Sequence, residues 1–122
     1  MEPALLIRTS AWLLAAAAAT GALMAALRYA MDRPAPAMVS KLHGFLATAG
    51  LALLVYGWAT MPLPKTAVTA TALLLLAATG GLTTSQAWRW KRAPSVEVLL
   101  FGHMSLAATG YLLLLVASIS AT

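Results

Sequence analysis

The chain has 122 residues, of which 61% are hydrophobic and 9% charged, with a mean hydropathy of +0.85. A soluble domain carries roughly 25% charged residues, so a water-facing exterior cannot be built from this composition. The net charge of +5 does not point to nucleic acid, because the basic residues sit between apolar runs, and the absence of cysteine excludes disulfides, thiolate chemistry and cysteine metal sites.

The first apolar run is Ala11–Leu27. Arg8 before it and the small residues within it have the outline of a signal peptide. The run is too long for that, and it is read as a retained first helix. Three more runs follow at about Leu42–Met61, Thr66–Ala87 and Val98–Thr122. The four hold 17 to 25 residues and no Asp, Glu, Lys or Arg. That is the length a helix needs to cross about 30 Å of hydrocarbon, and a helix satisfies its own backbone hydrogen bonds where lipid offers none. Pro34, Pro36, Pro62, Pro64 and Pro94 are expected in the connections. Short connections make consecutive helices antiparallel neighbours. The expected fold is therefore an all-α, integral membrane up-down-up-down four-helix bundle, one domain over 1–122.

Orientation is read from the basic residues. The first and third connections and their flanks hold Arg28, Arg33, Lys41, Arg89, Lys91 and Arg92, and the opposite face holds Arg8 and Lys65. Connections one and three are expected in the cytoplasm and both termini in the periplasm of a bacterial inner membrane. Trp12 and Trp58 would mark the outer interface, and Tyr29, Trp88 and Trp90 the inner one.

A repeat with a period of 60 residues divides the chain into halves of about 1–61 and 62–122. His43 opens HGFLATAGLALL and His103 opens HMSLAATGYLLL. Six of the twelve positions match: the histidines, Leu46/Leu106, Ala47/Ala107, Gly50/Gly110, Leu53/Leu113 and Leu54/Leu114. Pro34 and Pro94 also correspond, and Thr20-Gly21 resembles Thr79-Gly80 at a shift of 59. Offsets 0, 3, 4, 7, 10 and 11 form one helical stripe. Two duplicated helical hairpins, related by a pseudo-twofold axis along the membrane normal, are the expected architecture.

His43 and His103 are the only histidines. Both are expected one to two turns inside, on helices 2 and 4, which run in the same direction and are diagonal partners. Two imidazoles reaching inward could span the gap with one metal between them, which gives the pair the expected depth, direction and symmetry of a bis-histidine haem site. Both axial positions are then filled, which favours electron transfer over oxygen activation. Gly50 and Gly110 would leave room for a porphyrin plane, and Arg28, Lys41, Arg89 and Lys91 are the candidate partners for its propionates. Thr20, Thr48, Thr79 and Thr109 are candidate hydrogen-bond partners around the ligands. The competing reading is plain packing, in which each histidine bonds a carbonyl or threonine. Met24, Met38, Met61 and Met104 read as packing, and Glu97 as an acid at a helix N-terminus. There is no Ser/His/Asp set, phosphate loop or paired carboxylate, so hydrolysis and phosphoryl transfer have no support.

At these residues the chain resembles the four-helix membrane b-type cytochromes: a histidine at one depth on helices 2 and 4, each followed by glycine at +7. The resemblance implies one non-covalent haem b per chain, held by His43 and His103, and electron transfer as a protein or subunit rather than as a stand-alone enzyme. Many such cytochromes hold two haems on four ligands, whereas this chain has two histidines. Quinone or a redox protein, other membrane subunits or a second copy, and membrane lipid are the implied partners. A different tetrapyrrole is an alternative to haem. A cofactor-free structural or assembly subunit is the alternative function, and a small transporter a third.

Overall fold

A computed structural model of the chain describes residues 1–89 and 93–121, without the side chains of residues 86–95. Four helices make up the described residues: α1 Pro3–Ala30, α2 Ala37–Thr60, α3 Lys65–Arg89 and α4 Ala93–Ser120. All four contain segments long and apolar enough to cross a membrane. Their outward faces carry Trp12, Phe45, Val98 and Phe101, each at least 70% exposed. Water would not tolerate such a surface and lipid does.

The helices start earlier than the apolar runs. α1 begins at Pro3 rather than near Ala11, α2 takes in Lys41, and α4 takes in Glu97. An apolar run measures the hydrocarbon, whereas a helix continues into the interface until a cap stops it. Pro3 is one such start, because proline at the first helical position gives up an N–H that would be unpaired in any case. Pro94, expected in a connection, lies in the first turn of α4 for the same reason. After α1 the chain turns through Asp32 at φ 47°, a left-handed conformation that a short polar side chain tolerates, and the Arg33 N–H reaches the Leu27 carbonyl at 2.9 Å.

α1 packs mainly on α2 and α3 mainly on α4; lesser contacts join α1 to α4 and α2 to α3. Contacts in each pair run in opposite chain directions. Gly57 lies against Leu6, Gly50 against Leu14, and His43 against Gly21; Gly110 lies against Leu74 and His103 against Gly81. α1 and α4 are tied by the Tyr111 hydroxyl, which donates to the Ala11 carbonyl at 3.1 Å.

Burial follows one register in both pairs. Ile7, Ser10, Ala11, Leu14 and Ala17 are buried on α1, and so are Ala67, Ala70, Thr71, Leu74 and Ala77, each 60 positions later on α3. Gly50, Leu54 and Gly57 on α2 stand to Gly110, Leu114 and Ala117 on α4 in the same way. The core formed by Leu6, Ile7, Leu54, Leu114 and Ala117 closes the end opposite the histidines, where helices that meet through alanine and glycine approach closely.

Candidate functional site: the histidine pair

α2 and α4 do not pack as neighbours, yet each sends one imidazole inward. At 1.5 Å per residue, His43 stands about 9 Å into α2 and His103 about 15 Å into α4. The two ring centroids are 6.2 Å apart and the ring planes cross at 85°. Both residues are half-buried. Nothing in the local sequence of α2 or α4 fixes the rings; the preceding helix of each hairpin does.

His43 Nδ1 lies 2.8 Å from the Ala17 carbonyl oxygen of α1. His103 Nδ1 lies 2.6 Å from the Ala77 carbonyl oxygen of α3. A carbonyl only accepts, so each Nδ1 must carry the proton, and in a neutral ring Nε2 keeps its lone pair. This is the tautomer a metal-ligating histidine needs, held by the kind of outer bond that fixes ring orientation at metal centres.

Glycine gives each ring its place. A Cβ at Gly21 would sit 3.0 Å from His43 Cε1, and one at Gly81 would sit 2.8 Å from His103 Cε1. Neither ring could then keep its position. The threonine expectation holds only loosely and on one side. Thr20 Oγ1 donates to the Ala17 carbonyl at 2.8 Å and stands 3.4 Å from His43 Nδ1, too far for a well-formed bond. Thr79 and Thr109 bond carbonyls of their own helices, Leu75 and Ser105.

The remaining expected site residues fall as follows. Gly50 and Gly110 do not open onto the histidines, because Leu14 and Leu74 take the space in front of them; a Cβ would meet Leu14 Cγ at 2.7 Å and Leu74 Cγ at 3.0 Å. Their close approach serves helix packing within each pair. Arg28 is engaged by an ion pair with Glu97 across α1 and α4, and the Tyr29 hydroxyl donates to the same carboxylate at 2.9 Å. Glu97 is therefore a cross-helix partner as well as an acid near a helix start. Lys41 is exposed on the first turns of α2. The Arg89 side chain and Lys91 lie outside the described residues.

Among the described residues no three His, Cys, Asp or Glu side chains gather in a way that could hold a metal ion. Two imidazoles alone make a poor site for zinc or copper, which take three or four protein ligands. They do suit a metal that arrives with its other ligands in place.

No protein family, curated protein or solved structure matches this chain. The functional reading rests on the site itself.

Sequence reasoning found both histidines and missed what holds them. It paired Thr20-Gly21 with Thr79-Gly80 at a shift of 59, whereas in space Gly21 and Gly81 play the same part, at a shift of 60 with no insertion. Holding the period at 60 would have paired Ala17 with Ala77 and Gly21 with Gly81. Thr20 then corresponds to Gly80, which is why a threonine stands near only one ring.

Proposed function

We propose that this chain is a membrane b-type cytochrome, or the haem-bearing subunit of a membrane redox complex, with His43 and His103 as the axial ligands of one haem b. One observation carries the reading: the two imidazoles stand 6.2 Å apart between centroids, each with Nδ1 bonded to a carbonyl. A single metal coordinated by both imidazoles, with metal–nitrogen bonds of about 2.0 Å, would bring the two rings about this close. A porphyrin would complete the coordination, for which the described residues offer no third His, Cys, Asp or Glu ligand. The bound group would supply reversible one-electron transfer and leave no open coordination position. The chain's part would be to leave both Nε2 lone pairs free for the metal and to fix the rings through the Ala17 and Ala77 carbonyls. Of the four candidate propionate partners, Lys41 is the described one left once Arg28 is paired with Glu97.

The same reading takes the fold as an up-down-up-down bundle of two duplicated hairpins. It is supported by the opposed contact directions and by burial that repeats at 60 positions. By the charge count, connections one and three face the cytoplasm and the termini the periplasm, which sets the haem toward the cytoplasmic side. A quinone or a redox protein is then the electron partner. Other membrane subunits or a second copy would cover the exposed helix faces.

A second reading draws on one part of that observation. The bonds to Ala17 and Ala77 satisfy half of each ring with no metal present, as a cofactor-free scaffold or assembly subunit would require.

An optical spectrum of detergent-purified protein from haem-supplied cells, oxidised and then dithionite-reduced, decides between the two. The cytochrome reading expects a sharp reduced b-type spectrum at one haem per chain, abolished by His43→Ala and by His103→Ala. A colourless, helical wild type would overturn it and leave the scaffold.

A further inference from the structure

At the end of the bundle away from the histidines, α1 and α4 part to leave a groove of about 180 Å³. It is lined by Arg8, Ala11, Trp12 and Ala15 of α1 and by Leu115 and Ser118 of α4. Tyr111 also lines it and bonds across to Ala11. The site thus has an apolar trough with a cation at one end, and nothing in the proposed haem reading uses it.

The depth of that cation matters. α1 has 28 residues, about 42 Å at 1.5 Å per residue, against a hydrocarbon core of about 30 Å. Shared between the two ends, the excess puts about 6 Å of α1 outside the hydrocarbon on each side. Arg8 lies five residues into α1, about 7.5 Å along it. Its guanidinium therefore stands at the hydrocarbon boundary, where lipid phosphates lie. Arg8 is exposed and makes no ion pair among the described residues. From there the groove runs inward to Ala15, about 10 Å deeper at the rise of a helix.

We propose that this groove is a binding site for an anionic phospholipid, with the headgroup phosphate on Arg8 and one acyl chain between α1 and α4. Arginine pairs with phosphate through two parallel N–H bonds. Trp12, 78% exposed, sits one turn deeper than Arg8, where an indole flanks the headgroup region. The alanines at 11 and 15 are what keep the trough open, since a larger side chain at either would fill it. Binding here ties α1 to α4, the two helices that otherwise meet through few side chains, and it is independent of the histidine site.

The test uses delipidated protein in detergent, titrated with dioleoylphosphatidylglycerol or dioleoylphosphatidylcholine and read by native mass spectrometry. Wild type should bind one phosphatidylglycerol about tenfold more tightly than phosphatidylcholine, a difference of about 1.4 kcal/mol. Arg8→Gln should remove the preference, and Ala15→Phe should remove saturable binding of both lipids. If Ala15→Phe fails to fold, Leu115→Trp fills the same space. Leu76→Phe, on an exposed face of α3, should change nothing, and His43→Ala should leave lipid binding intact even where it abolishes haem. Equal affinity for the two lipids would overturn the proposal. So would phosphatidylglycerol binding that survives both groove-filling variants.

Discussion

The α1–α2 pair and the α3–α4 pair bury largely the same register of positions, but not always with the same residues. Leu14/Leu74, Ala17/Ala77, Gly50/Gly110 and Leu54/Leu114 are identical and buried in both. Ile7 faces the core where Ala67 does, Ser10 where Ala70 does, and Ala11 where Thr71 does. The identical set forms a path from the packed end toward the histidines, and the varied set lies at the packed end. Close packing there tolerates exchanges of similar volume, whereas a ring held by one carbonyl and one missing Cβ tolerates very little. The difference separates what the histidines require from what a bundle requires.

The largest effect is expected where that requirement is strictest. Gly81→Ala places a Cβ 2.8 Å from His103 Cε1, and Gly21→Ala places one 3.0 Å from His43 Cε1. Each should move its ring off the Ala77 or Ala17 carbonyl. Loss of such an outer-shell bond costs about 10- to 100-fold in metal affinity. Haem titration of the purified apoprotein should therefore show both variants weakened, with Gly81→Ala the worse. Equal affinity in both variants and wild type would mean that the glycines serve helix packing alone.

Next come the glycines that meet leucines. Gly50→Ala puts a Cβ 2.7 Å from Leu14 Cγ, and Gly110→Ala puts one 3.0 Å from Leu74 Cγ. Both overpack a helix contact, at a cost of about 1–3 kcal/mol. Thermal unfolding in detergent should rank Gly50→Ala below Gly110→Ala, with haem affinity changed less than by the Gly21 and Gly81 variants. The reverse ranking of haem affinities would return Gly50 and Gly110 to the cofactor's surroundings.

Much of this arrangement is legible in the chain itself. Four uncharged apolar runs suffice for four helices of membrane-crossing length, because only a self-satisfied backbone survives in lipid. The histidines stand out because a polar ring in an apolar helix is costly. The partners of those rings are harder to see. Ala17 and Ala77 act through backbone carbonyls, and every residue has one. Gly21 and Gly81 act through an absent side chain, and the adjacent Gly80 offers a false match one position away. Arg28 reads in the sequence as a candidate propionate partner because its ion-pair partner, Glu97, is 69 residues distant. The groove at Arg8 depends on how α1 and α4 diverge, which no local pattern records.

The smallest effect concerns one exchange at the packed end. Ser10 is fully buried and its hydroxyl has no hydrogen-bond partner among the described residues, while its counterpart Ala70 is equally buried and brings no polar atom. Thr71, also buried, avoids the problem by donating to the Ala67 carbonyl at 2.8 Å. An unmade buried hydrogen bond costs about 1–3 kcal/mol, so its removal is stabilising when the shape is kept. Serine and alanine differ by one oxygen, and alanine is the better helix former. Ser10→Ala should therefore raise stability by about 1 kcal/mol, read as a higher unfolding midpoint in detergent with an unchanged haem spectrum. Ala70→Ser should lower the midpoint by a comparable amount, since it brings to α3 the orphan hydroxyl that α1 carries. If Ser10→Ala destabilises the bundle, the hydroxyl has a partner in the membrane. The two hairpins would then differ at their packed ends by a bond rather than by a tolerated substitution.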